Sequence, residues 1–315
     1  MTKKWLLYGA VVVLVFGGYI VYQIENIRDI FSKKEQPAEP ALQLTLGSTI
    51  DTRLYELAGG ALSEISSGIE GSVVSRSRRF SPLNATVSAI APPNSLGAVL
   101  VLENQEGTRR LDDASSMKDT VALSKDNALV AYAELDVPSG SILYSENVVD
   151  WRVRVLNTVT GDIQDLGVGY APHFILTEPA IIAFSSSEGI VAVTLESEER
   201  VVVPAFPALS TARSARFSPD GNYFAAYNTL TDYWSLFQVD EPLSLSMSAV
   251  GEVQSAFDLI ALSDEHFYGI YRDETSGEMT LWRYALSGIA PFMRLEDGEH
   301  IYTFGEGELP YQIIP

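Results

Sequence analysis

Residues 75–80 read SRSRRF, three arginines in four successive positions of an otherwise acidic chain. A guanidinium is planar and forked, and it matches a carboxylate or a phosphate. In an extended segment side chains alternate between faces, so Arg76 and Arg78 share one face and Arg79 takes the other. If that face borders a cavity, Arg76 and Arg78 are the candidate ligands for an anionic group. Pairing with the surrounding acids is the competing assignment.

The remaining reactive side chains form no second constellation. The histidines are His173, His266 and His300, too far apart in sequence to suggest a metal pair. His173 and His300 fall near strands expected to line a channel, so a shared site is geometrically open, with isolated polar or packing roles as the simpler assignment. Asp126 and Asp220 sit in turns, where one or two acids cap a backbone but do not fill a calcium shell of six to eight oxygens. Asp112 and Asp113 read as a solvated pair. Cysteine is absent, so no disulfide, thiolate site or cysteine nucleophile exists. There is no G-x-S-x-G elbow, P-loop, G-x-G-x-x-G or H-E-x-x-H pattern. The G-E-G-E of 305–308 precedes a strand and reads as a turn, and Asn84-Ala85-Thr86 is a formal glycosylation sequon. No catalytic residue, metal ligand or cofactor is expected from these residues.

The elements that carry these residues are announced by a repeat. ARFSPDGNYFAAYN (215–228) places Ser-Pro-Asp-Gly between two apolar, aromatic runs. Proline presets the second turn position, aspartate bonds backbone locally and glycine accepts positive φ, so the stretch predicts a β-hairpin. Related stretches are RRFSPLNATVSAI, ALSKDNALVAY, ILTEPAIIAF, ALSDEHFYGIY and YTFGEGELPYQII. Their anchors are 81, 124, 177, 218, 263 and 305, separated by 43, 53, 41, 45 and 42 residues, an average of 44.8. Periods of about 40–50 residues with several short strands predict propeller blades; a β-sandwich with coincidental turns is the alternative.

Two further strand-like runs follow each hairpin: 97–107 and 108–113, 151–161 and 162–169, 189–196 and 200–205, 233–240 and 243–250, 279–288 and 290–297. The sixth unit stops after its second expected strand. Residues 51–60 and 61–68 look like third and fourth strands without a first and second. A two-plus-two closure of one blade by 51–68 and 299–315 is therefore expected, leaving no long strand edge exposed.

The F-S-P-D-G of 217–221, its relatives at 80–84 and 123–127, and hairpins such as LNTVTGDIQDL (156–166) resemble the repeats of TolB-type propellers, within the broad tryptophan-aspartate-like class. The resemblance covers about 45–315, and the 217–221 copy carries it most closely. It implies an all-β, six-bladed β-propeller closed by N- and C-terminal strands, extracytoplasmic and protein-binding. The chain departs from the pattern in that a membrane span and a linker stand where TolB has an additional α/β domain.

Composition and charge add an address. Residues 1–34 hold five of the 21 basic and two of the 41 acidic side chains, leaving 16 and 39 for residues 35–315, a net of −23. A body this acidic repels nucleic acid and anionic headgroups. Trp5 to Ile24 is twenty residues without a charge, long enough at about 1.5 Å per residue to cross the hydrocarbon core as one transmembrane helix. It exceeds the usual signal-peptide core and no A-x-A site follows, so an uncleaved anchor is expected. The predicted organisation is a short cytoplasmic N-terminus at 1–4, a transmembrane helix at 5–24, a linker at 25–44 and the propeller at 45–315. The expected function is a membrane-anchored, extracytoplasmic scaffold for a protein or peptide partner. A hydrolase or lactonase with a site at the channel mouth, and a subunit of an envelope complex, are the alternatives.

Overall fold

The computed structural model describes residues 41–48, 51–66, 70–79, 84–95, 97–135, 145, 147–203, 215–228, 233–254, 257–288 and 292–315. The expected span at 5–24 lies outside them, and among the described residues no helix is long and apolar enough to cross a membrane. By internal contacts the chain divides into 1–40 and 41–315, and the second unit is the one described below.

Three strands open that unit: β1 (Leu42–Ser48), β2 (Asp51–Ala58) and β3 (Ala61–Ile65). Blade one follows as β4 (Ser72–Arg79), β5 (Ala85–Ala91), β6 (Val99–Asn104) and β7 (Gly107–Arg110). Blade two is β8 (Lys118–Leu123), β9 (Leu129–Leu135), β10 (Trp151–Asn157) and β11 (Ile163–Val168). Blade three is β12 (Tyr170–Thr177), β13 (Ala180–Ser186), β14 (Gly189–Thr194) and β15 (Arg200–Val203). Blade four is β16 (Ala215–Phe217), β17 (Tyr223–Asn228), β18 (Tyr233–Glu241) and β19 (Ser246–Gln254). Then come β20 (Phe257–Leu262), β21 (His266–Arg272), β22 (Met279–Ala285), β23 (Met293–Arg294), β24 (Glu299–Thr303) and β25 (Pro310–Ile314).

Each blade is an antiparallel meander, and the sheets number six, as the repeat predicts. The innermost strands β4, β8, β12, β16, β20 and β25 touch one another in a closed ring. Apolar side chains fill the wedges between blades. Tyr132, Leu100 and Val87 pack between blades one and two; Phe184, Val153 and Val191 between two and three; Phe224, Ile181 and Ile190 between three and four. Phe267, Trp234 and Tyr284 fill the next wedge, and Leu44, Leu281 and Ile270 the one after it. Among the described residues the wedge between blades six and one is the poorest, with Leu54, Val73 and Ile314 buried there.

The repeated serine has a physical job. Ser218 Oγ accepts the Tyr223 amide at 3.1 Å, Ser124 Oγ the Leu129 amide at 2.9 Å and Ser263 Oγ the His266 amide at 2.9 Å. In each case the hydroxyl satisfies the first amide of the second strand or of the turn leading into it, a group the turn would otherwise strand away from water. Gly221 and Asn127 close two of these turns at φ of 73° and 62°.

Closure differs from the expected two-plus-two. Blade six is ordered β25-β1-β2-β3, one C-terminal strand and three N-terminal ones. Residues 42–44 of the expected linker are strand, because LQLTL alternates and Leu44 and Leu46 are buried. The run at 299–303 closes blade five instead: β24 pairs with β22 in the order β20-β21-β22-β24. Residues 290–297 were expected as that fourth strand. Within them β23 crosses to blade four and pairs in parallel with β19, Val253 opposite Met293. The 305–308 segment is a turn, with the Glu308 amide on Gly305 O at 3.1 Å, but it joins blade five to blade six rather than a first strand to a second.

Candidate functional site: the central channel

An inner strand has one partner, so half of its backbone groups point along the ring instead of into a sheet. Neighbouring blades supply side chains for them. Gln312 on β25 receives the Arg76 amide at 3.0 Å and donates to Arg76 O at 3.1 Å, completing both groups as a strand would. Thr52 Oγ1 donates to Val73 O at 2.6 Å, and Ser75 Oγ accepts the Val121 amide at 3.2 Å. The inner strands are also bulged against their partners, at Val73/Ser75 in β4, Asp119/Ala122 in β8, Tyr170/His173 in β12 and Phe257/Leu259 in β20. Thr120 and Ala171, inside two of these bulges, have φ of 45° and 53°. Such bulges re-aim side chains and hold non-glycine residues in a disfavoured region, a strain tolerated where the surroundings fix it.

The ring encloses a cavity of ≈ 140 Å³ bordered by all six inner strands. Arg76 and Arg78 both line it, on one face of β4 as the alternation predicts. The guanidinium of Arg76, 7% exposed, runs back across blade one to Ser88 Oγ at 2.9 Å and Glu103 Oε2 at 3.0 Å. Its charge is therefore met within its own blade. Arg78 donates to Ala41 O at 2.8 Å. Burial, then the neighbouring Arg76 charge, lower its pKa to about 10, against the opposing pull of Glu56, so it stays charged at neutral pH. The side chain of Arg79 lies outside the described residues. Sequence reading missed Arg216 on β16, which lines the same cavity and donates to Ala215 O at 2.7 Å. It missed Asp119 too, which accepts the Tyr170 hydroxyl at 2.6 Å and the Thr120 amide at 2.6 Å.

The histidines separate. His173 lines the channel, donates from Nε2 to Pro219 O at 2.9 Å and stacks on Phe217 with centroids 6.2 Å apart. His300 is on β24, the outermost strand of blade five, exposed beside Thr303 Oγ1 at 3.0 Å. The shared His173–His300 site is overturned, because the strand expected to open blade six ends blade five. Asp126 caps its turn as expected, accepting from Ser124 Oγ at 2.6 Å and the Ala128 amide at 3.1 Å. Asp112 is no solvated acid. It pairs at 3.1 Å with the buried ammonium of Lys118 and accepts the Leu100 amide at 2.6 Å, while burial pushes its pKa up. Among the described residues no three His, Asp or Glu side chains converge as a metal site would require.

No family model matches the chain, and no curated protein does. Solved structures do. TolB from Acinetobacter baumannii aligns over 87% of this chain and 67% of its own at 10% identity, TM-score 0.56. A functionally unknown protein from Desulfotomaculum acetoxidans aligns over 85% and 81% at 12% identity, TM-score 0.51. A putative 6-phosphogluconolactonase from Bacteroides fragilis aligns over 89% and 99% at 11% identity, TM-score 0.47. At these identities the likeness is one of fold. The chain is an all-β, six-bladed propeller, similar in fold to the TolB structure.

Proposed function

We propose that this chain is a membrane-anchored binding scaffold, held in the bilayer by residues 5–24 and presenting its propeller to a protein or peptide on the extracytoplasmic side. The observation that carries the reading is the channel lining. In a body of net −23, the inner strands gather Arg78 and Arg216 at one cavity, on a ring whose backbone is pinned from blade to blade. Fixed cations inside an acidic shell select by charge and orientation, and rigid strands hold them at low entropic cost. A cavity of ≈ 140 Å³ suits the end of a chain or one acidic side chain rather than a whole ligand, so most of the contact falls to the loops around the mouth. Crosslinking of the full chain in intact cells identifies the partner. Capture should then drop about tenfold or more in the double variant Arg78→Gln, Arg216→Gln. Undiminished capture by that variant, or a stoichiometric metal ion in the purified full chain together with hydrolytic turnover, sinks the scaffold reading in favour of channel-mouth chemistry.

A further inference from the structure

Where the first-to-second turns of blades four and five meet, two carboxyl groups from different blades come together. The Asp220 amide donates to Asp264 Oδ1 at 3.0 Å. The Asp220 turn is anchored on its other side by blade three, since Pro219 O accepts His173 Nε2 at 2.9 Å. Pro219 itself borders the channel. A line of bonds thus runs from blade three through the 218–221 turn to blade five, and its last link is a carboxyl group.

We propose that Asp220 and Asp264 form a proton-operated latch between blades four and five at the channel rim: sharing one proton they hold the two turns together, and with both ionised they push them apart. The Asp264 carboxyl that accepts the Asp220 amide also touches the Asp220 carboxyl; two carboxylates in contact repel, whereas one carboxylic acid and one carboxylate make a strong O–H···O⁻ bond. Burial is the largest influence on Asp264, raising its pKa to about 6. The charge of Asp220 and the contact between the two carboxyl groups act in the same direction, while the Asp220 amide and the Ser218 hydroxyl pull the other way. The charged group facing Asp264 from the neighbouring blade is Asp220. Its own turn carries Glu265 and His266, and the nearby channel cations are Arg216 on β16, which donates to Ala215 O, and His173 on β12, which donates to Pro219 O. In blade two the position matching Asp264 is Lys125, and Asp126 bonds Ser124 within its own turn, so that turn has no such switch.

Hydrogen exchange of the full chain, followed on peptides covering residues 215–224 and corrected for intrinsic rates, tests this. Protection should fall about tenfold between pH 5.0 and 7.5, with a midpoint near 6. Asp264→Asn, neutral throughout, should hold the turn at its low-pH protection at both values. Asp220→Asn removes the repulsion and should flatten the fall in protection between pH 5.0 and 7.5, which keeps the test open if the first variant does not fold. Equal protection of the parent at both pH values overturns the latch, as does an Asp264→Asn or Asp220→Asn profile identical to the parent's.

Discussion

At the residue scale the turn of blade four shows how tightly sequence is read by structure. Gly221 has φ of 73°, and a Cβ there would lie 2.5 Å from Ile175 Cα, the backbone of the next blade. A side chain costs about 1–2 kcal/mol for the left-handed backbone alone. The clash is with main chain, which cannot swing aside as a flexible side chain would. Gly221→Ala should therefore destabilise by about 2–4 kcal/mol in denaturant titration, against about 1–2 kcal/mol for Ser218→Ala, which strands one half-buried amide. A Gly221→Ala variant as stable as the parent would mean that the turn does not pack on Ile175. The serine's bond and the glycine's positive φ were legible in the sequence because both are local to the turn; the packing of Gly221 on Ile175 of blade three was not. The fate of Arg76 was not: alternation gives its face, but Glu103 lies 27 residues away on the third strand of the blade. Asp112 was misread for a different reason: its partner Lys118 is near in sequence, but the wedge that buries it is not revealed by sequence spacing.

At the scale of elements, the blades were readable, as was a last blade shared by the two termini with 51–65 as its third and fourth strands; the one-plus-three split was not. A blade whose strands follow one another by short turns repeats its pattern every 40–50 residues. Blade five breaks that rule by placing two short helical turns, Leu286–Gly288 and Leu295–Asp297, and β23 before β24, and the displaced strand mimics the start of a sixth hairpin. β1 was hidden beside a proline-rich stretch, although Leu42, Leu44 and Leu46 alternate as a half-buried strand should. Among the described residues the apolar wedge is thinnest at the seam between blades six and one, where a second cavity of ≈ 690 Å³ opens. Polar bonds from Gln312 and Thr52 take over there. Gln312→Leu keeps the volume and removes both bonds to the Arg76 backbone, leaving two inner-edge groups unmet. It should cost about 2–4 kcal/mol and raise hydrogen exchange first in 72–79 and 310–314. A loss spread evenly over all six blades, or none, would contradict the assignment of this seam as the clasp of the ring.

At the scale of the whole molecule, charge works against the ring that the blades build. Residues 35–315 carry a net of −23, and compaction brings those carboxylates together. Local pairs such as Arg152 with Asp165 at 2.9 Å and Arg283 with Glu299 at 2.7 Å answer some of this, but they are partly exposed and worth little each. Asp264 adds a specific contribution of the same sign. Its folded pKa of about 6 stands above the ordinary 3.8, so between those values the folded chain binds a proton that the unfolded chain does not. Stability from this group is therefore complete below about pH 4 and is lost as pH rises through 6. Asp165 acts oppositely: the guanidinium of Arg152 and the Gly167 amide outweigh its burial and hold its pKa below the usual range, so its contribution is lost only at lower pH. Thermal stability of the full chain should accordingly rise as pH is lowered from 7.5 to 5, and rise as well when NaCl is increased from about 10 to 300 mM at pH 7.5, where the Debye length shortens to a few ångströms. In Asp264→Asn the pH effect should shrink while the salt effect persists, because the latch is one group and the repulsion belongs to the whole acidic ring. A Tm that falls steadily from pH 7.5 to 5 would show that paired, low-pKa carboxylates outweigh both contributions, and that the ring is held by its acids rather than strained by them.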